Sequence, residues 1–192
     1  GNGTGSIGGE LGIDQIYDGH RLRVLRWSRQ RPTSWEIDAA APWGAAPNAA
    51  SQYAAISGNG RYVAFLSYAS NLIADDSNAS PDIFVGDAQD FASPPERVSV
   101  GDGDVQINGY SRALSPSAIS SDGRYVAFAV DTTVSIDGSN AGTLEDVFVR
   151  DRTLGTTRLM SKSTAGVAGS GSSDMAAISP SGRYVVFRSF ST

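Results

Sequence analysis

Two acidic loops hold this sequence's densest clusters of oxygen ligands. The first reads Asp75-Asp76-Ser77-Asn78-Ala79-Ser80-Pro81-Asp82. The second reads Asp137-Gly138-Ser139-Asn140-Ala141-Gly142-Thr143-Leu144-Glu145-Asp146. Closely spaced carboxylate and amide oxygens suit a hard cation such as Ca2+, which takes about six to eight oxygen ligands. Asp75, Asp76, Asn78, Asp82, Asp137, Asn140 and Asp146 are therefore the candidate metal ligands, and Ca2+ is the candidate cofactor. The spacing is not that of an EF-hand loop, and the two copies differ in length. The same residues also suit Asx turns, where a side-chain oxygen satisfies nearby backbone N–H groups. Both readings stand at this point.

Catalytic chemistry finds less support. His20 is the single histidine. It falls on an alternating apolar face with Leu22 and Val24, where it reads as a packed or rim residue. A serine triad needs a histidine backed by an acid, and no Gly-x-Ser-x-Gly elbow is present. The serines of Gly169-Ser170-Gly171-Ser172-Ser173 lack that spacing and read as a flexible turn. Acids are plentiful, but they recur at turn positions rather than flanking a cleft, as glycoside hydrolysis would need. Gly3-Thr4-Gly5-Ser6-Ile7-Gly8 formally matches a dinucleotide fingerprint, but no strand precedes it and no βαβ unit surrounds it. With no Cys, disulfides, thiolate metal sites and cysteine nucleophiles are excluded. The expectation is a protein without catalysis of its own.

Binding residues are easier to nominate. Arg61, Arg124 and Arg183 recur at equivalent places, as do Asp87 and Asp151. Such residues can pair within or between structural units, or form a ring that binds a ligand. Trp27, Trp35 and Trp43 could stack on sugars, dock a protein or cap the fold. Asn2-Gly3-Thr4 and Asn78-Ala79-Ser80 are formal glycosylation sequons, the second weakened by Pro81.

The elements that must position these residues come from an internal repeat. Ile56-Ser57-Gly58-Asn59-Gly60-Arg61-Tyr62-Val63-Ala64-Phe65 reads almost like residues 119–128 and 178–187, and the turn glycines Gly60, Gly123 and Gly182 lie 63 and 59 residues apart. Asn59-Gly60 and Asp122-Gly123 are strong signals for two-residue hairpin turns. Each turn joins a strand a ending in Ile-Ser to a strand b of the form Tyr-Val-Ala-Phe. Strand b is apolar on both faces and so is expected to be buried between layers. Strand c follows as Asp82–Asp87 and Asp146–Asp151. Strand d follows as Glu96–Val100 and Thr157–Ser161, with Val98 placed opposite Leu159 by spacing. His20–Trp27 and Trp35–Asp38 fit an earlier c and d. Four short strands per unit, repeated, are the signature of a propeller blade.

The run Gly-Arg-Tyr-Val-Ala-Phe, then Asn71-Leu72, then an Asp/Asn-rich loop, then Asp-Ile/Val-Phe-Val-x-Asp resembles the TolB-like (WD-like) bacterial β-propeller repeat family. The resemblance covers about residues 50–192. It implies an all-β propeller of four-stranded blades and a secreted or periplasmic setting. It specifies fold better than function, because such propellers serve as scaffolds, binding platforms and enzyme domains alike. The expected organisation is a flexible Gly-rich lead-in over 1–12, a partial blade over 13–50, blades over 51–113 and 114–173, and a partial blade over 174–192. The order c-d, a-b-c-d, a-b-c-d, a-b leaves open blade edges. Three outcomes are open: closure on itself, continuation in a longer polypeptide, or completion by strand exchange with another copy, up to an oligomer or filament.

Composition limits the partners. Fifteen basic against twenty acidic residues leave a net charge of −5. That argues against nucleic acid, whose binders usually carry a basic excess. No apolar run is long enough to cross a bilayer as a helix. The expected function is an extracytoplasmic binding or assembly scaffold with a protein or glycan ligand. The alternative is an accessory or partial domain of a larger secreted hydrolase.

Overall fold

The computed structural model describes residues 47–90, 93–112, 114–131 and 144–192, together with the backbone of three strands nearer the N-terminus. Among the described residues all regular elements are strands, apart from one turn of 3-10 helix at Asp102–Asp104. Strands β1 (Leu11–Tyr17), β2 (Leu22–Ser28) and β3 (Arg31–Glu36) form an antiparallel sheet in that order. The sequence reading has two strands here; β1 is a third, paired along its whole length with β2. His20, Ile37, Asp38 and Trp43 lie outside the described residues, as do Asp137 and Asn140.

Two four-stranded antiparallel sheets follow. The first runs β4 (Ser51–Ile56), β5 (Tyr62–Ser67), β6 (Asp82–Asp87), β7 (Glu96–Arg97). The second runs β8 (Tyr110–Ser111), β9 (Tyr125–Asp131), β10 (Glu145–Asp151), β11 (Thr156–Leu159). A two-stranded sheet, β12 (Ser173–Ile178) and β13 (Val185–Ser189), follows in the chain. The second sheet's strand a is broken. Pairing runs from Tyr110 to Arg112, whose N–H bonds Ala129 O, lapses around Pro116, which has no N–H to offer a ladder, and resumes where Ala118 O accepts from Ala127 N–H and Ile119 bridges Val126.

Strand b is buried on both faces in β5 and β9, as its sequence implies, whereas β13 is largely exposed. Ala64, Leu66, Ile83 and Val85 of the first sheet join Val126, Phe128 and Phe148 of the second in one core. Val63, Phe65 and Phe84 face the other way, against Ala49 and Ile56. Ala127, Ala129 and Val147 of the second sheet meet Ala176 and Ile178 of β12. The sheets therefore stack face on face. Phe65 stacks on Phe84 at 5.9 Å and 26°, and Phe128 on Phe148 at 6.0 Å and 27°. Equivalent residues thus occupy equivalent geometry.

The hairpin turns differ from the expected two-residue form. Ser57 N–H bonds Tyr62 O, and Gly60 N–H bonds back to Ser57 O, so four residues lie between the last paired residues. Only the glycine is left-handed, with φ 69° at Gly60 and 77° at Gly123. The reason is local capping. The Ser57 hydroxyl accepts from Tyr62 N–H at 2.9 Å, and Asn59 Oδ1 accepts from Arg61 N–H at 3.0 Å. Ser120 and Asp122 repeat both bonds, to Tyr125 and Arg124. An Asx bond of this kind holds Asn or Asp in ordinary right-handed backbone.

These turns also lock neighbouring sheets. Asn59 N–H donates to Ser121 O, and Ser121 N–H to Pro180 O, both at 2.9 Å. Tyr62 lies against Gly123, and Tyr125 against Gly182.

Candidate functional site

The recurring arginines and aspartates pair within a sheet. Arg61, just before β5, grips Asp87 at the end of β6 through two nitrogens, at 2.8 and 2.9 Å. Arg124 grips Asp151 at 2.7 and 2.9 Å. Each arginine also lies over the following tyrosine ring. The Arg124 hydrogen bond holds the Asp151 carboxyl below the usual range, aided by the N–H groups of Leu154 and Thr153. At Asp87 burial pushes the carboxyl up, but Arg61 and Gln89 N–H outweigh it and the net shift is down. Bidentate Arg–carboxylate pairs fix geometry as well as charge. The arginines are thus braces rather than a free cationic ring. Arg183 stands over Tyr184 in the same way.

The candidate metal ligands meet other partners. Asp82 is buried and accepts from Ser99 Oγ at 2.6 Å, while the same hydroxyl accepts from Ile83 N–H. Asp146 repeats this with Ser161, also at 2.6 Å, and with Val147 N–H. This pairing aligns Ser99 with Ser161, and hence Val98 with Met160 rather than with Leu159. Burial pushes Asp82 up to about 6, against the opposing Ser99 bond and Arg97 charge. Burial also raises Asp146.

Arg97 occupies the centre of the first acidic loop. Its guanidinium, 5% exposed, lies 3.4 Å from Asp75 and 3.8 Å from both Asp76 and Asp82. Gln106 Nε2 donates to Asp76 at 2.9 Å. Asn78 Nδ2 donates to Ile107 O, and Asn78 Oδ1 accepts from Ser80 N–H, an Asx turn. Among the described residues no group of three or more His, Cys, Asp or Glu gathers with metal-binding geometry.

The serines of the Gly169–Ser173 stretch are built into the sheet. Ser172 O accepts from Phe190 N–H, Gly171 N–H donates to Ser191 Oγ, and Ser173 Oγ bonds Ser189 Oγ at 2.9 Å. This is no flexible turn: it clamps the far end of β13.

The strongest surface feature is one that sequence reasoning misses. At the end opposite the turns, Tyr53, Tyr68 and Tyr110 are all exposed. Tyr110 Oη donates to Tyr68 Oη at 3.0 Å, and the rings meet edge-on at 6.3 Å. The Tyr110 bond, then partial burial, pushes the Tyr68 phenol up. Arg112 lies over the Tyr110 ring at 5.1 Å and reaches Asp131 at 3.5 Å and Glu145 at 3.7 Å. Burial, ahead of its charged neighbours, raises the Glu145 carboxyl. Arg188 and Asp174 of the two-stranded sheet pair through two bonds and feel Glu145. Tyr53 and Met175 hold matching bulges in β4 and β12 with φ 55° and 52°. A stripe of tyrosines and ion pairs thus crosses three sheets. Tyrosine and arginine supply rigid contact area and directional donors, the chemistry of binding hot spots.

Antiparallel four-stranded sheets stacked face on face, each braced by the same Arg–Asp pair, define a propeller-type all-β protein. Two solved structures above TM-score 0.5 agree. A TolB-type protein of Agrobacterium tumefaciens matches at TM-score 0.54 and 16% identity over 94% of this chain. TolB from Acinetobacter baumannii matches at 0.45 and 15%, over 94% of the chain. The tricorn protease matches at 0.54 and 8%, over 95% of the chain. The fold is that of TolB-like β-propellers. The chain spans 50% and 41% of the two TolB proteins and 14% of the protease. No protein-family model matches the chain, and no curated protein matches it in sequence.

Proposed function

We propose that this chain is a non-catalytic, extracytoplasmic β-propeller module that binds a protein or glycan across its tyrosine stripe. The observation that carries the reading is the exposed Tyr53–Tyr68–Tyr110 cluster, which joins two sheets and continues through Arg112 to Glu145, whose charge feels the Arg188–Asp174 pair of the third. The likeness to TolB supports the periplasmic or secreted setting. In this reading the first acidic loop is structural, because Arg97, Ser99 and Gln106 take the oxygens a Ca2+ ion would need.

The test is a binding screen on arrayed oligosaccharides and peptides, run beside the Tyr68→Ala/Tyr110→Ala variant. Loss of two hot-spot side chains is expected to weaken binding at least about ten-fold. Binding that ignores both tyrosines would sink the assignment of the face. Turnover of ester, peptide or glycoside substrates by the purified chain would sink the non-catalytic reading.

A second reading follows from the tricorn protease, of which an equivalent unit is a small part. The chain would then be an accessory portion of a larger secreted hydrolase. Mass measurement of the native protein separates the two: a species far above 20.0 kDa carrying a nucleophile supports the hydrolase.

A further inference from the structure

Strand β5 of the first sheet runs out into Tyr68, and the broken a strand of the second sheet opens at Tyr110. The two residues are 42 apart in the chain, and the stacking of the sheets brings them together. Tyr110 Oη donates to Tyr68 Oη at 3.0 Å, and the ring centroids lie 6.3 Å apart at an interplanar angle of 67°. Among the described residues this is the one place where two tyrosine rings meet. Both residues are 40% exposed, so small reagents reach the phenols. Each is also steadied by a neighbour. Gln52 Nε2 lies 3.5 Å from Tyr68 Oη, and Arg112 covers one face of the Tyr110 ring at 5.1 Å. No thiol competes with them for an oxidant, because the sequence has no Cys.

We propose that Tyr68 and Tyr110 form an oxidative cross-linking site, at which a peroxide-driven one-electron oxidant joins the two rings as dityrosine. Each phenol gives up one electron and its hydroxyl proton. The two radicals then form a carbon–carbon bond between the ring carbons beside the hydroxyls, one Cε from each. The hydrogens on those carbons move to the oxygens, which restores both phenols. Two electrons and two protons leave in all, and one hydrogen peroxide takes them up as two waters. The hydrogen bond holds hydroxyl against hydroxyl, so rotation of two exposed side chains brings the adjoining carbons into contact. Proximity of this kind turns an encounter between molecules into a step within one. The product is a covalent tie between the first and second sheets. It closes the chain across the 42-residue separation, which restricts the unfolded state and so raises stability. The proposal concerns the reactivity of the two phenols and does not rest on ligand binding at this face.

The test treats the dilute purified chain with a haem peroxidase and equimolar hydrogen peroxide, then maps it by trypsin digestion and mass spectrometry. The expected product is residues 62–97 joined to residues 98–112, two hydrogen atoms lighter than their sum and showing the blue fluorescence of dityrosine. Tyr68→Phe and Tyr110→Phe should each abolish it, while Tyr53→Phe should leave it. The cross-linked chain should run as a single-chain band on a denaturing gel. Unfolding in urea before oxidation should suppress the product. The proposal is overturned if no such product forms, if the linkage joins two chains, or if Tyr53→Phe removes it. It is equally overturned if the urea-unfolded chain gives the product in the same yield, because the fold would then not be what selects the pair.

Discussion

Gly123→Ala is expected to lower stability by about 3 kcal/mol, an unusually large cost for one methyl group at a turn. Two costs add. Gly123 has φ 77°, and a side chain in left-handed backbone costs about 1–2 kcal/mol. The new Cβ would also lie 2.1 Å from Cδ2 of Tyr62, and overpacking of this kind costs about 1–3 kcal/mol. Tyr62 cannot simply swing away. Arg61 and Arg152 lie over its ring, at 5.0 and 4.7 Å, and Arg152 is itself bonded to Glu96 and to Gly123 O. The double variant Gly123→Ala/Tyr62→Ala separates the two costs, because it keeps the backbone strain and removes the collision. Chemical unfolding of the four proteins should therefore show a coupling of about 1–3 kcal/mol. Strict additivity would mean that the turn is strained but the sheets are not interlocked there.

The second large effect is on pH dependence. Asp82 is raised from an ordinary 3.8 to about 6 by burial, so the folded state holds its proton more tightly than the unfolded chain does. Its stabilising contribution is complete below pH 3.8 and is lost as pH rises through about 6. That loss is about 2–3 kcal/mol. Asp87, Asp102, Asp122, Asp151 and Asp174 are shifted the other way, by arginine, hydroxyl and backbone N–H donors. Their contribution is present above the unfolded value and disappears as pH falls below it. Stability should therefore peak on the acid side of neutrality, at about pH 4–5, and decline towards pH 7. Thermal melts across this range test it. Asp82→Asn should flatten the segment between pH 4 and 6 and leave the acid limb intact. An unchanged profile in that variant would mean that the ionised carboxylate is accommodated by Arg97.

Much of the architecture was legible because it is written in local pattern. The a–b turns, the apolar b strand and the Asp-ending c strand each occupy a few consecutive residues. The Arg61–Asp87 and Arg124–Asp151 braces follow once b and c are neighbours. The turn type was misjudged because Asn59 and Asp122 carry two signals. Both favour left-handed backbone, and both also bond N–H groups two residues on. The second effect wins here, helped by the Ser57 and Ser120 hydroxyls. The partners of the acidic-loop residues were hidden for a different reason. The partners of Asp82 and Asp146 are serines on strand d, 17 and 15 residues away, and Arg97 enters the first loop from the same strand. Only the folded sheet brings these donors to the loop oxygens. The tyrosine stripe was illegible because Tyr68 and Tyr110 are 42 residues apart and belong to different repeats. The one available signal was position: Tyr68 follows a b strand directly, and Tyr110 opens the next a strand.

The links between sheets have a mechanical consequence. Between the first and second sheets the charged ties gather at the turn end, where Arg150 reaches Gly101 and Asp104, and Arg152, held within its own sheet by Gly123 O, reaches Glu96. The Asn59–Ser121 and Ser121–Pro180 bonds lie along the same margin. The opposite margin is joined by the Tyr68–Tyr110 bond and by Ser111 N–H to Pro81 O at a longer 3.2 Å. The stack is bound like a book, with the turns as its spine and the tyrosines along its fore-edge. Small rotations about the spine would be magnified at the fore-edge, so the tyrosine face is expected to widen or narrow while the core stays shut. Amide exchange should accordingly be slowest at Asn59 and Ser121 and faster at Ser111; equal protection at both margins would show that the pages do not turn.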